Sequence, residues 1–186
     1  MACYVIPEEN NLRNILVDID GVVAQYNFPK ILKEHFGVEV SNLDVQLYSL
    51  EDCLGLPSKQ VMDMFSIVAF EPPNLIRDSI SSLRKLIVED WNVCIYSNRV
   101  HFMGKKGLED WLSKYGIPYS VVLNGDSLPS YVSIAVDDYP SKLLKLSEDT
   151  TVRKLLLFSQ PWNDGCLDLL NMFTRVNNWA EVMEEI

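Results

Sequence analysis

Few of the residues that mark metal–thiolate, disulfide-stapled or nucleic-acid-coating proteins are present. Four cysteines, Cys3, Cys53, Cys94 and Cys166, are scattered over 186 residues with no CxxC pair. Neither a zinc site nor a disulfide framework is indicated. The two histidines, His35 and His101, have no metal-ligand spacing. Lys and Arg number 16 against 26 acids, a net charge of -10. No basic stripe emerges, which argues against a broad duplex-binding surface but not against a small phosphate ester. No apolar run approaches the roughly 20 residues of a membrane span, and no charged segment followed by a long apolar one opens the chain. Repeats, low-complexity tracts and flexible linkers are also missing. These absences lead us to expect a soluble, cytoplasmic protein with reduced thiols and no membrane partner.

What the chain does have is apolar residues, 48% of the total. That suffices for one domain with a sizeable core and one insertion. The stretch organising the rest is Asn14–Val23, NILVDIDGVV. Ile15, Leu16, Val17 and Ile19 suit a strand of about 14–19 buried on both faces. Asp18 and Asp20 stand at its end and Gly21 breaks it. Buried carboxylates are costly unless their charge is compensated, and hard cations prefer carboxylate oxygens.

Further strands are expected at Trp91–Tyr96, Tyr119–Leu123, Val132–Val136 and Lys154–Phe158. Helices are expected at 28–37, Leu43–Leu54, from Pro57 to about Phe70, from an Asn74 cap through Ile87, at about 103–115, around 140–147 and at 164–173. A short strand or loop from Val176 then leads to a last helix capped by Asn178. Alternating strands and helices imply βαβ units and a parallel, Rossmann-like α/β sheet flanked by helices. Between the first and second strands lie about seventy residues of helical pattern, far more than a crossover needs. Residues 24–72 therefore read as a small all-helical cap inserted after the first strand, with 1–23 and 73–186 forming the core.

In an open parallel sheet, ligands bind beyond the carboxyl ends of the strands. Three strands end in chemically capable residues: Asp18/Asp20, Ser97-Asn98-Arg99 and Asp137/Asp138. Together they suit phosphoryl transfer through a carboxylate nucleophile. Asp18 would attack phosphorus, Asp20 would move the proton, and Ser97 with nearby backbone N–H groups would hold the transferring oxygens. Asp137 and Asp138 would complete a Mg²⁺ site with Asp18 and Asp20.

DIDGVV, YSNR and VDDYP resemble the motifs of the haloacid dehalogenase superfamily of Mg²⁺-dependent phosphatases. The cap position, EPPNLIRDSISSLRKL, and LLLFSQPWN followed by RVNNWAEV are similar to the 5′(3′)-deoxyribonucleotidase family, from about residue 14 to 186. That resemblance implies a phosphomonoesterase acting on deoxyribonucleoside monophosphates through an aspartyl-phosphate on Asp18. It implies Asp20 as acid/base, Ser97 as the phosphate-binding hydroxyl, and Tyr26 and Tyr48 as cap aromatics facing the base. A homodimer is compatible with it. The family also places a lysine before its paired acids, where this chain reads Asn124-Gly125-Asp126-Ser127. Serine cannot carry that charge. Lys105, Lys106 or Arg99 would then replace it, Lys106 being our choice alongside Asn98 and Arg99 on the phosphate, or the catalytic set is impaired. A polynucleotide 3′-phosphate is the alternative substrate, and a nucleotide- or partner-binding protein without turnover is the third reading.

Overall fold

A computed structural model of the chain describes residues 13–26, 28–40, 51, 55–124, 127–164 and 172–186. β1 (Asn14–Val17) is buried along its whole length. Ile15 and Val17 enter one apolar cluster, and Leu16 enters another on the opposite face. Burying each such side chain contributes roughly 1.5–3 kcal/mol, and a strand apolar on both faces belongs inside a covered sheet. That is its position. The sheet runs β5 (Val121–Val122), β4 (Asn92–Ile95), β1, β6 (Tyr131–Asp137), β7 (Thr151–Phe158), β8 (Thr174–Val176). Every neighbouring pair in it is parallel. The expected parallel α/β sheet is thus present.

The first face is covered by α3 (Ser79–Val88), α4 (Arg99–Lys114) and α6 (Trp179–Glu184), through Leu83, Leu86, Leu108, Leu112, Trp179 and Val182. The other is covered by α5 (Pro140–Asp149), through Leu143 and Leu146. Cys94 is buried within β4, where burial pushes its thiol up to about 11, so it stays protonated and packs as a small hydrophobe.

Between β1 and β4 the chain leaves the sheet. β2 (Ala24–Gln25) carries it out and β3 (Asn74–Leu75) brings it back, and the two pair antiparallel. The excursion holds α1 (Phe28–Phe36) and α2 (Ser58–Val68), which pack together around Ile31, Leu32, Leu56, Val61, Met64 and Val68. This cluster is separate from both faces of the sheet.

Three expectations need correcting. Asn74 does not cap a helix: Asn74 and Leu75 pair with Gln25 and Ala24, Ile76 N donates to Val23 O at 2.9 Å, and the helix starts only at Ser79. The helix expected from 103 begins at Arg99, because Gly104, at φ 67° and ψ 164°, joins a first turn to the main helix. β5 is shorter than Tyr119–Leu123. The tail behaves as expected, with Asn178 Oδ1 accepting from Glu181 N at 3.0 Å. Glu51, the one described residue of the helix expected at Leu43–Leu54, is helical; the rest of that helix and most of that at 164–173 lie outside the described residues. Among the described residues, no helix is long and apolar enough to cross a membrane.

Candidate active site

Sheet register assembles the site. Val17 sits beside Val136 on one side and Ile95 on the other. The next residue of each strand therefore emerges at the same edge: Asp18 from β1, Asp137 from β6, and Tyr96 with Ser97 from β4. Asp18, Asp137, Asp138 and Ser97 are all buried there, each at most 7% exposed. One carboxylate oxygen each from Asp18, Asp137 and Asp138 lies within 4.8 Å of the others.

The positive charge facing these acids comes from Lys142, in the first turn of α5. Its Nζ donates to Asp18 Oδ1 at 2.9 Å, to Asp137 Oδ2 at 2.7 Å and to the Tyr96 carbonyl at 2.9 Å. All three ammonium protons are thereby used. Burial alone would push this ammonium down, but Asp137 and Asp18 outweigh it and hold it above its ordinary value. Ser127, at the position where a lysine was looked for, instead closes a turn by donating to the Asn124 carbonyl at 2.8 Å. Lys106 does not replace that lysine. It pairs with Asp110 at 2.7 Å and its side chain is 80% exposed.

Two further residues that were not foreseen shape the acid cluster. Trp162 Nε1 donates to Asp138 Oδ2 at 2.7 Å, and Asn163 Nδ2 donates to the Asp138 carbonyl at 2.8 Å. Gln160, from the same loop after β7, donates to the Gly21 carbonyl at 2.6 Å. Gly21 has φ 77°, and a Cβ there would lie 2.2 Å from Asp138 Oδ2. Glycine is thus required both by conformation and by the approach of that carboxylate.

Burial lifts Asp137 to about 7, with Lys142 pulling it down and Asp18 pushing it up. Burial also raises Asp138 well above the usual range, reinforced by Asp137 and Asp18. Three carboxylates against one ammonium leave two uncompensated negative charges when all are ionised. The donors are hard oxygens converging on one point. This set fits a divalent hard cation such as Mg²⁺, held by Asp18, Asp137 and Asp138. Bound there, the ion would supply positive charge between the nucleophile and a phosphate.

Asp20 takes a different place. Its carboxylate is not part of that cluster but accepts from Arg99, Nε lying 3.3 and 3.1 Å from its two oxygens and Nη2 3.2 Å from Oδ1. Burial raises Asp20, Arg99 opposes this, and Asp18 adds to it. Arg99 was expected on the phosphate. Its guanidinium is instead committed to protein: Nη1 donates to the Ala69 carbonyl at 2.6 Å, and Nη2 to the Val68 carbonyl at 3.2 Å and to Tyr26 Oη.

Above the acids opens a cleft of ≈ 860 Å³. Asp18, Asp20, Ser97, Asn98, Arg99, Asp138 and Tyr26 line it, as do Phe28, Phe65, Phe102 and Trp162. The structure thus brings Asp18, Asp20, Ser97, Asn98 and Tyr26 to one space. Tyr48 and Asp126 lie outside the described residues.

No family model matches the chain, and no curated protein matches it. Solved structures do. A haloacid dehalogenase-like hydrolase from Streptococcus pneumoniae superposes with a TM-score of 0.65 at 14% identity, covering 95% of this chain and 99% of its own. A predicted phosphoglycolate phosphatase from Haemophilus somnus gives 0.62 at 13%, covering 94% and 97%. A phosphoserine phosphohydrolase-like protein from Francisella tularensis gives 0.56 at 17%, covering 94% and 99%. The fold is that of haloacid dehalogenase-like hydrolases. At these identities the likeness concerns the fold; none of these three is named as a nucleotidase. In a haloacid dehalogenase-like fold the residues that distinguish one member's chemistry are those at the strand ends, which is where the Asp18 cluster lies.

Proposed function

We propose that this chain is a Mg²⁺-dependent phosphomonoesterase that forms an aspartyl-phosphate on Asp18, with deoxyribonucleoside monophosphates as its substrates. The observation that carries the reading is the pairing of Asp18 with Lys142 at the sheet edge, directly below the cleft. A carboxylate nucleophile needs nearby positive charge to accept a phosphate, and Lys142 supplies it. This removes the one sequence feature that favoured an impaired member.

In this reading Asp18 attacks phosphorus and the ester oxygen leaves. Asp20 gives that oxygen a proton, then takes one from the water that hydrolyses the aspartyl-phosphate. A raised carboxyl is suited to the first task, since it holds its proton closer to neutral pH. Ser97 and the N–H groups at the start of α4 face the transferred oxygens.

The cleft lining favours an uncharged planar leaving group. Phe28, Phe65, Phe102 and Trp162 offer ring faces and edges. A phosphorylated small acid would need a cation for its own carboxylate. Among the described lining residues the one arginine, Arg99, is already committed, which leaves His101 as the other basic side chain there.

The test is phosphate release, with and without Mg²⁺, from a panel of 5′- and 3′-deoxynucleoside monophosphates, phosphoglycolate, phosphoserine and an oligonucleotide 3′-phosphate. Mg²⁺-dependent release, fastest from the mononucleotides, is expected. Preference for either small acid would overturn the substrate reading. Release from the oligonucleotide alone would transfer it to a polynucleotide end. No release from any ester would overturn the enzymatic reading.

A further inference from the structure

We propose that Arg99 is a positioning residue that mechanically couples the carboxylate of Asp20 to the two chain crossings joining the helical excursion to the sheet. Tyr26 immediately follows β2 on the outgoing crossing. Val68 and Ala69 end α2 on the returning one. Arg99 belongs to neither: it stands in the first turn of α4, on the core. Its fork nevertheless donates to Tyr26 Oη, to the Val68 and Ala69 carbonyls, and to both oxygens of Asp20.

Three features make this more than a local ion pair. The carbonyls of Val68 and Ala69 stand at the C-terminal end of α2, the Val68 one also accepting from Glu71 N at 3.2 Å, so Arg99 caps that helix from another part of the fold. The guanidinium carbon lies 4.7 Å from the Tyr26 ring centroid and 4.3 Å from that of Trp111, so two aromatic rings pack against it. Trp111 in turn donates through Nε1 to the Glu71 carbonyl at 3.3 Å, so α4 grips the returning crossing twice. Arg99 is 3% exposed, with little room to reorient alone.

A planar, buried fork bonded to several partners at once cannot follow one of them without shifting on the others. If α1 and α2 move relative to the sheet, Tyr26 Oη and the Val68 and Ala69 carbonyls move with them, and the contacts to Asp20 change in the same event. Coupling is reciprocal. Loss of the Asp20 charge must therefore loosen the crossings. The catalytic consequence, that the position of the excursion sets the placement of the proton-transfer carboxyl, rests on the phosphatase reading above. The mechanical coupling does not.

The experiment exploits that separation. Amide hydrogen exchange would be followed at Ala69, Phe70 and Glu71, which bond back into α2, and at Ile76, which bonds to Val23. The proteins compared are wild type, Asp20→Asn, Arg99→Lys, Tyr26→Phe and Asp18→Asn. We expect Asp20→Asn and Arg99→Lys each to speed exchange at these amides on the order of tenfold. Tyr26→Phe, which removes one of the partners, should speed it by a smaller factor, and Asp18→Asn should leave it within about twofold, Asp18 being paired with Lys142.

Wild-type protection in Asp20→Asn would overturn the coupling and leave Arg99 a structural clamp, even if Arg99→Lys loosens the crossings. Equal loosening by Asp18→Asn would overturn it too. In turnover, Arg99→Lys should lower kcat by about 10- to 100-fold with little change in KM, as loss of an orienting partner does. It should add nothing further in an Asp20→Asn background. A multiplicative effect in that double variant would overturn the positioning role. If wild type releases no phosphate from any ester, the phosphatase reading fails, and the exchange comparison still decides the coupling.

Discussion

Lys142, with its side chain 12% exposed, and Arg99, at 3%, are cations largely withdrawn from solvent, and each faces a carboxylate of the same tripeptide, Asp18-Ile19-Asp20. Their surroundings differ. Lys142 spends all three protons on groups at the strand ends: Asp18, Asp137 and the Tyr96 carbonyl. Arg99 reaches across the fold, from α4 to Asp20 and to both crossings of the helical excursion. A compact ammonium serves where charge must sit at a point, and a planar fork serves where several elements must be held in register. The two aspartates thus acquire different tasks from their partners. Asp18 is held among charges within the carboxylate cluster, and Asp20 is held by an arm whose other end grips the helical excursion.

The most severe break in that division is at Asp18. Asp18→Asn should abolish phosphate release, by more than about 10³-fold in kcat, because it removes the attacking oxygen and not a tuning group. The fold should survive, since β1 is secured by Ile15, Leu16 and Val17 on both faces. Residual release near the wild-type rate would show that another group attacks phosphorus. Thermal unfolding of the same variant checks the fold.

Lys142→Met follows. It leaves three buried carboxylates without their ammonium, and removing one member of a buried ion pair costs about 3–5 kcal/mol. We expect a lower Tm together with a loss of about 10²- to 10³-fold in kcat, the usual scale for deleting one charge-stabilising group. Arg99→Lys, by contrast, keeps its charge and should lose less. If Lys142→Met were the milder of the two, the assignment of electrostatic and positioning roles would be reversed.

The same cluster makes a pH prediction. Asp137 sits at about 7 in the folded protein and Asp138 is raised as well, without a bound cation. An unfolded aspartate titrates at about 3.9. The folded state therefore holds these protons to higher pH than the unfolded chain does. Their stabilising contribution is full below about pH 4 and is lost as pH rises through about 7. Metal-free protein should lose Tm between pH 5 and 8, by several degrees, and Mg²⁺ should restore more at pH 8 than at pH 5. Thermal scans in chelator and in Mg²⁺ across that range check it; a Mg²⁺ effect independent of pH would argue against the ion meeting these carboxylates.

Much of this was legible before the structure. Strand ends carry their own signal, because polar or acidic residues that follow an apolar run have few packing explanations; that signal picks out Asp18, Ser97, Asp137 and Asp138, which the sheet register brings to one edge. The long helical stretch between the first two strands announced itself by length alone. Lys142 was missed because a lysine in a helix usually faces water. Its signal was there, however: Pro140 starts the helix, Lys142 follows in its first turn, and side chains in a first turn lean back toward the N-terminus, here toward the strand ends. Trp162 and Gln160 sit in a loop after β7 whose path depends on how it folds over Gly21, and no periodicity encodes that. Arg99 was seen, but adjacency to Ser97 suggested the phosphate, and only the fold shows that Val68, Ala69 and Tyr26 claim it first.

The roof of the cleft should respond more gently than its floor. Phe65 lies on α2 and meets Phe28 edge to face at 6.4 Å. Phe65→Leu retains apolar volume but removes a ring. KM for a deoxynucleoside monophosphate should rise about threefold to tenfold, the scale of roughly 1 kcal/mol of aromatic contact, with kcat changed little. A small ester without a ring, such as methyl phosphate, should show no change in KM. An equal rise for both esters would mean that Phe65 supports the cleft and does not touch the leaving group.

The smallest effect belongs to the cation that sequence alone favoured. Lys106 stands on the outer side of α4 and pairs with Asp110 one turn on, both exposed. Its ammonium is held above its ordinary value by Asp110, which it meets in open solvent. Such pairs contribute little. Lys106→Ala should therefore leave kcat and KM within about twofold and Tm within about a degree, beside the collapse expected for Lys142→Met. The two lysines share an ammonium and differ in burial and in partners, so this pair of variants shows that placement, and not charge alone, makes an ammonium part of the site. A tenfold loss of activity in Lys106→Ala would mean that α4 swings its first two turns inward during turnover, and Gly104, at the break between them, is where the chain could bend.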